Sequence, residues 1–251
     1  SRSSLNPPGP PGKAKNMLYI TGHLQKKTKK LGILGAGMMG SGIAYVSAMA
    51  DIDVILLDST QEKATEGKLK VKSILDEGVK RKKTTPEQME RVLKRITATD
   101  DYSLLRNTDL VIEAVFEDPS LKSKVTQLAE THISKTTIFA TNTSTIPISD
   151  LAKASQNREN FIGIHFFSPV HKMNLVEIIK GKDTNDLAIG KALDFVGQIK
   201  KTPIVVNDAR FFYANRCIIP YINEGVKMVG EGIEPALIEN GAKLLGMPVG
   251  P

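Results

Sequence analysis

The stretch Leu31-Gly-Ile-Leu-Gly35-Ala-Gly37-Met-Met-Gly40 decides the fold. Its first residues are apolar and read as a short strand, Leu31–Leu34. Its last residues open a helix pattern rich in small side chains, Met38–Ala50. Between them lies G-x-G-x-x-G. In this setting the first glycine, Gly35, permits a tight turn. The second, Gly37, lets backbone approach a pyrophosphate, and the third, Gly40, lets helix and strand pack closely. The amides at the helix start, at Met38 and Met39, then face the phosphates. A second apolar strand, Val54–Leu57, ends at Asp58. A carboxylate there hydrogen-bonds an adenosine ribose and repels a 2′-phosphate, which predicts NAD over NADP. FAD shares the fingerprint and is the runner-up, although FAD proteins usually carry it near the start of a longer chain.

Outward from this unit the chain alternates. Gln61–Lys83 is a long charged helix pattern, and Pro86 suits the first turn of another over Glu87–Arg95. Ile96–Thr99, Leu110–Ala114 and Ile138–Thr141 are short apolar strands, with helical Leu121–Ile133 between the last two. Such alternation predicts a parallel sheet covered by helices on both faces. Phe161–Phe167, Leu175–Ile179 and Pro203–Val206 continue as strands, with a helix at Leu187–Ile199. Beyond these only helices are evident, at Phe212–Val229 and Pro235–Leu245. The expected fold class is therefore α/β: a Rossmann-type dinucleotide-binding domain over 30–206, then an all-helical domain over 207–251. The helical part, about 45 residues, is small for an independent core, so a truncated domain is expected. Residues 1–29, with Pro7, Pro8, Pro10 and Pro11, read as a linker or tail. The apolar patch Met17–Ile20 is either part of a flexible tail or a surface that packs on a preceding domain.

Composition narrows the partners. The 251 residues carry Lys+Arg 34 against Asp+Glu 27, a net charge of +7, which favours an anionic partner. Aromatic residues are 5% and there is no Trp, which disfavours nucleic acid bound by base stacking and leaves small phosphorylated ligands. No apolar run approaches a membrane span, and no signal peptide is visible. One cysteine, Cys217, excludes an intramolecular disulfide and a multi-cysteine metal site; no metal is expected.

Two further segments carry chemistry. His165 lies in Phe161-Ile-Gly-Ile-His-Phe-Phe-Ser168-Pro169, and Glu177 in Leu175-Val-Glu-Ile-Ile. A loop of about seven residues allows the two strands to be neighbours and the two side chains to meet. A carboxylate beside an imidazole fixes its tautomer and stabilises the imidazolium, as a dehydrogenase base requires. A lone strand histidine is more often a satisfied core residue, but an acid in an apolar strand needs a partner. Ala140-Thr-Asn142-Thr-Ser144-Thr follows a strand end, where ligands of such sheets bind. Composition alone leaves it equally a polar turn. Asn215 sits early in the helical part, either closing over the site or on a helix surface.

Taken together, ILGAGMMGSGIA, VIEAVFED, TNTST, IGIHFFSP, LVEII and ANR resemble the L-3-hydroxyacyl-CoA dehydrogenase family over residues 30–251. The resemblance is strongest to the dehydrogenase part of the multifunctional fatty-acid-oxidation alpha subunit. It implies NAD-dependent oxidation of (3S)-3-hydroxyacyl-CoA to 3-oxoacyl-CoA in fatty-acid beta-oxidation. His165 matches the base, Glu177 its partner, Ser144 the serine touching substrate and nicotinamide, and Asn215 the asparagine supplied by the helical domain. Asp58 matches the ribose acid. Glu117 and Lys122 match residues near the cofactor, though by themselves they read as a helix N-terminal acid and a solvated lysine. Lys68 and Lys72 face either CoA phosphates or solvent. An N-terminal hydratase domain, a homo-oligomer formed through the helical domain, and a bacterial cytoplasm (or else a mitochondrial or peroxisomal matrix) are also implied. The alternatives are reduction of 3-oxoacyl-CoA and a catalytically silent NAD-binding piece. Two departures stand out. Ser168 replaces the Asn of single-function relatives. Phe211 replaces a Gly before the helical domain, so the helix start that carries Asn215 is expected to differ.

Overall fold

The structure, a computed structural model, describes residues 27–251. The proline-rich stretch and the Met17–Ile20 patch lie outside the described residues. Where description begins, the chain is already fastened: Thr28 is buried, and its backbone N–H and C=O pair with the Gln198 side chain. The stretch expected to be a linker therefore joins the domain by Thr28, two residues before the first strand.

Eight strands form one sheet in the order β3-β2-β1-β4-β5-β6-β7-β8. They are β1 (Lys30–Leu34), β2 (Asp53–Leu57), β3 (Ile96–Thr99), β4 (Leu110–Glu113), β5 (Ile138–Thr141), β6 (Phe161–Phe166), β7 (Leu175–Lys180) and β8 (Thr202–Asn207). All pairings are parallel except β6 with β7. The exception falls where the alternation of strand and helix stops, after Phe161. The eight-residue loop between β6 and β7 cannot hold the crossover helix that a parallel return needs, so β7 comes back antiparallel.

Successive side chains of a strand point to opposite faces, and both faces here are buried. Leu31 and Ile33 join one core with Ile43, Val71, Val92 and Phe195; Leu34 joins the other with Phe139, Ile148 and Phe212. The first face is covered by α1 (Met38–Met49), α2 (Gln61–Lys80), α3 (Pro86–Lys94) and α6 (Asp186–Gln198). The second is covered by α4 (Pro119–Glu130) and the one-turn α5 (Ile148–Leu151). Near-continuous apolar strands follow from this double coverage. Two more helices, α7 (Ala214–Gly230) and α8 (Pro235–Leu244), come after the sheet. Among the described residues no helix is long and apolar enough to cross a membrane.

Four helix starts follow a local rule. Thr60, Thr85, Asp118 and Asn185 cap α2, α3, α4 and α6 by accepting an amide from the first turn. The start of α1 is Gly37, which has no side chain to do so. Its first amides are left for something other than this chain.

Candidate active site

The glycine-rich turn is built as its sequence requires. Gly35 has φ +101°, a conformation that side chains resist. A Cβ on Gly40 would lie 1.8 Å from the Gly35 carbonyl oxygen, so helix and turn touch there. Gly37 is different. Its φ of −68° suits any residue, and a Cβ there would meet nothing within 4 Å. The space beside it is open on a cleft of about 620 Å³ that also takes in Met38, Met39, Asp58 and Tyr102. Asp58 Oδ2 accepts the Ala36 amide at 2.7 Å, and Oδ1 accepts the Ser59 amide at 2.7 Å. Uncapped amides, open space at Gly37 and an acid across the cleft fit a dinucleotide pyrophosphate and ribose. Tyr102, half-buried, has its hydroxyl pushed up by burial and then by the Asp58 charge.

A second cavity of about 340 Å³ adjoins this cleft. It is lined by Glu117, Asn142, Ser144, His165 and Phe167, and shares Met39, Ala114 and Val115 with the first. Register puts His165 directly opposite Glu177 on neighbouring strands. Facing residues of an antiparallel pair point the same way, and His165 Nδ1 lies 2.7 Å from Glu177 Oε2. Both are buried. The other carboxylate oxygen accepts the amides of Tyr213 at 3.1 Å and Ala214 at 2.8 Å, the start of α7. Burial raises the Glu177 carboxyl, but the His165 hydrogen bond, these amides and the His165 charge outweigh it, and it lies below the ordinary glutamate value. The rings of Phe167 and Phe212 pack on the imidazole, with centroids at 4.5 and 6.0 Å. With Nδ1 committed to Glu177, Nε2 is the nitrogen left for a substrate proton.

The Thr141–Thr145 turn is held by Glu117. One oxygen, Oε1, accepts the Thr143 hydroxyl at 2.6 Å, the Ser144 amide at 2.8 Å and the Thr145 amide at 3.1 Å. Burial raises this carboxyl, and the Thr143 hydroxyl, the Lys122 charge and the Ser144 amide lower it further than that, so it too lies below the usual range. Asn142 Oδ1 accepts the Phe166 amide at 2.9 Å, tying the turn to β6. Asn215 Nδ2 donates to the Ser144 carbonyl at 3.0 Å, which brings α7 onto the same turn.

Three expectations change. Glu117 is not the capping acid of α4, because Asp118 takes that role; it organises the Thr141–Thr145 turn instead. Lys122 is not solvated. It is 2% exposed, 2.8 Å from Glu113 Oε1 and 3.3 Å from Glu117 Oε2. It is buried against Glu117 and supports it. The α7 start survives the loss of glycine, because Phe211 and Phe212 themselves take φ +65° and +51°. The helix then begins at Ala214. Lys72 pairs with Asp76 at 2.8 Å on the exposed face of α2.

Sequence reasoning missed two supports. Glu113, 1% exposed, closes the Lys122 network through the Thr141 hydroxyl and the Val115 amide. An acid ending an apolar strand was the available signal. Lys201, 9% exposed, donates to the Val170 and Met173 carbonyls at 2.6 Å and pins the β6–β7 loop. No local pattern marks it. Among the described residues no group of three His, Cys, Asp or Glu side chains is arranged to hold a metal.

Comparison with known proteins identifies the family. The family model described as "3-hydroxyacyl-CoA dehydrogenase, NAD binding domain" matches residues 30–209, and its C-terminal counterpart matches 212–251. Among solved structures, (S)-3-hydroxybutyryl-CoA dehydrogenase PaaH1 from Ralstonia eutropha is 37% identical with TM-score 0.84, over 89% of this chain and 80% of that one. FadB2 from M. tuberculosis is 30% identical with TM-score 0.87, over 90% and 80%. The dehydrogenase part of multifunctional enzyme 1 from C. elegans is 28% identical with TM-score 0.69, over 90% and 52%. A dinucleotide cleft with uncapped amides, an imidazole–carboxylate pair at its end and these matches lead to one conclusion: the chain belongs to the 3-hydroxyacyl-CoA dehydrogenase family, NAD-dependent oxidoreductases of fatty-acid oxidation.

Proposed function

We propose that His165 is the general base that takes the 3-hydroxyl proton of a (3S)-3-hydroxyacyl-CoA at Nε2. The observation that carries this is the buried 2.7 Å contact between His165 Nδ1 and Glu177 Oε2, beside the cavity that also holds Ser144. Glu177 keeps Nδ1 protonated, which leaves Nε2 as acceptor, and it stabilises the imidazolium once the proton arrives. NAD, when bound, supplies the hydride acceptor. Gly35, Gly37, Met38, Met39, Gly40 and Asp58 hold its phosphates and adenosine ribose. Ser144 and Asn215 orient the substrate oxygens. Glu117 fixes Ser144, and Lys122 fixes Glu117. The same groups serve the reverse reduction, since proton transfer at Nε2 runs both ways.

The dinucleotide-binding unit is proposed to run from residue 30 to about 206, with the helical unit after it. Exposed Ile222, Val226, Leu237, Leu244 and Leu245 on and beside α7 and α8 support a second copy as their partner. Light scattering of the native protein tests that. The likeness to the dehydrogenase part of a multifunctional enzyme supports a further catalytic domain in the natural chain, which we propose is an N-terminal hydratase. Hydration of crotonyl-CoA by the natural chain tests it. The bacterial sources of two relatives support a bacterial cytoplasm, tested by cell fractionation.

The deciding experiment follows NADH absorbance with 3-hydroxybutyryl-CoA and a long-chain homologue. Wild type and His165→Ala are compared in NAD and NADP. NAD-specific turnover that the variant loses is expected. Turnover that survives His165→Ala overturns the assignment of the base.

A further inference from the structure

Phe116 is 80% exposed, yet the residues on both sides of it are tied down. On one side the Val115 amide donates to Glu113 Oε1 at 2.7 Å, and the Val115 carbonyl accepts from Lys122 Nζ at 3.3 Å. On the other, Glu117 is bound to Lys122 and to the Thr143–Thr145 turn. The Phe116 carbonyl itself accepts the Asp118 amide at 2.8 Å. A buried ammonium, rare in any core, thus holds a short loop rigid. The one large apolar side chain on that loop points away from the protein's own core. Its ring borders the 620 Å³ cleft, flanked in sequence by Val115, which lines both cavities, and by Glu117, which lines the inner one. Met38, at the first turn of α1 and 68% exposed, borders the same cleft.

An aromatic ring left in water on a fixed loop forgoes burial that a ligand in the cleft would supply. We propose that Phe116 is a cofactor-binding residue: its ring covers the bound dinucleotide where the adenosine cleft meets the catalytic cavity, with Met38 as the apolar group on the same rim. This deepens the NAD-binding reading and rests on it. The contact is made equally before and after the chemical step, so it sets affinity rather than rate.

Two variants test this. Phe116→Ala removes an exposed ring from an intact loop. Its KM for NAD rises by about five- to twentyfold while kcat stays within about twofold. Phe116→Trp creates the sole tryptophan of a chain that has none, so its emission reports this site alone. Saturating NAD lowers acrylamide quenching of that emission by roughly threefold. Binding of NADH to the wild type, followed by its own fluorescence, is measured beside them. If the wild type binds NADH but quenching is unchanged by NAD, or Phe116→Ala keeps its KM, the proposal is overturned and the cofactor reading stands. If acetoacetyl-CoA shields the tryptophan and NAD does not, the ring serves substrate and the proposal is also overturned. If the wild type does not bind NADH, the dinucleotide reading fails, and the proposal with it.

Discussion

Replacing Lys122 by methionine removes the one cation of a buried network while keeping most of its volume. Lys122 and Glu113 are 2% and 1% exposed and 2.8 Å apart. The loss leaves Glu113 with only the Thr141 hydroxyl and the Val115 amide. Breaking one partner out of a buried pair costs about 3–5 kcal/mol, because the remaining charge is buried without compensation. Urea unfolding should show the midpoint falling at constant slope. At this chain length the melting temperature falls by roughly 10 °C. The double variant Lys122→Met/Glu113→Gln separates charge from packing. A neutral amide still accepts the Val115 amide, and the Thr141 hydroxyl turns to accept from it. The double variant should therefore be more stable than the single one. A single-variant loss below about 1 kcal/mol, the range of exposed pairs, would refute the argument. So would a double variant no more stable than Lys122→Met.

Asp58→Ala should raise the KM for NAD by about 10- to 100-fold and narrow the preference over NADP, since charge-assisted hydrogen bonds to the ribose are lost; initial rates with both cofactors check it. Glu177→Gln should lower kcat by about 10²- to 10⁴-fold. Its one oxygen is claimed by the α7 amides, so its NH₂ faces His165 Nδ1 and forces the proton onto Nε2; a profile of rate against pH checks it. Glu177 also links stability to acid. Its carboxyl lies below the ordinary value in the folded state, so its contribution is present above about pH 4.3 and is lost as pH falls through the folded value. Unfolding of Glu177→Gln should accordingly depend less on pH in that window than unfolding of the wild type. At position 211, where φ is +65°, glycine should be more stable than alanine by about 1 kcal/mol. Both variants lack the ring, and at an ordinary φ alanine wins; thermal melts of the pair decide.

Most of the fold was legible because its signals are local. Strands buried on both faces are apolar runs, and helices start at Thr60, Thr85, Asp118 and Asn185, where capping side chains stand. The His165–Glu177 contact was legible for a related reason: a loop of fixed length between two short strands leaves few registers. What was not legible depended on partners far apart in sequence. Lys122 reads as a surface lysine because nothing near it shows that Glu113 and Glu117 converge on it. Lys201 is silent for the same reason: the carbonyls it holds are main chain, which carries no sequence mark. Phe211 was read as an obstacle to the helix start, on the correct premise that the turn needs a left-handed residue. The turn is kept, and two phenylalanines carry it, one of them with its ring buried against the core and the imidazole.

That turn explains why a buried glutamate is sustainable in strand β7. Glu177 is 0% exposed, and an isolated carboxylate there would be heavily penalised. Its two oxygens are instead divided between two elements: Oε2 meets the imidazole, and Oε1 meets the first amides of a 17-residue helix, whose positive end stabilises the charge. The left-handed pair Phe211–Phe212 turns the chain so that those amides arrive. The same turn sets Asn215 on the Ser144 carbonyl and seats the Phe212 ring against His165. Attachment of the helical element and orientation of the base are therefore coupled at this carboxylate. A change that unseats the start of α7 reaches the imidazole through Glu177 and through the Phe212 ring.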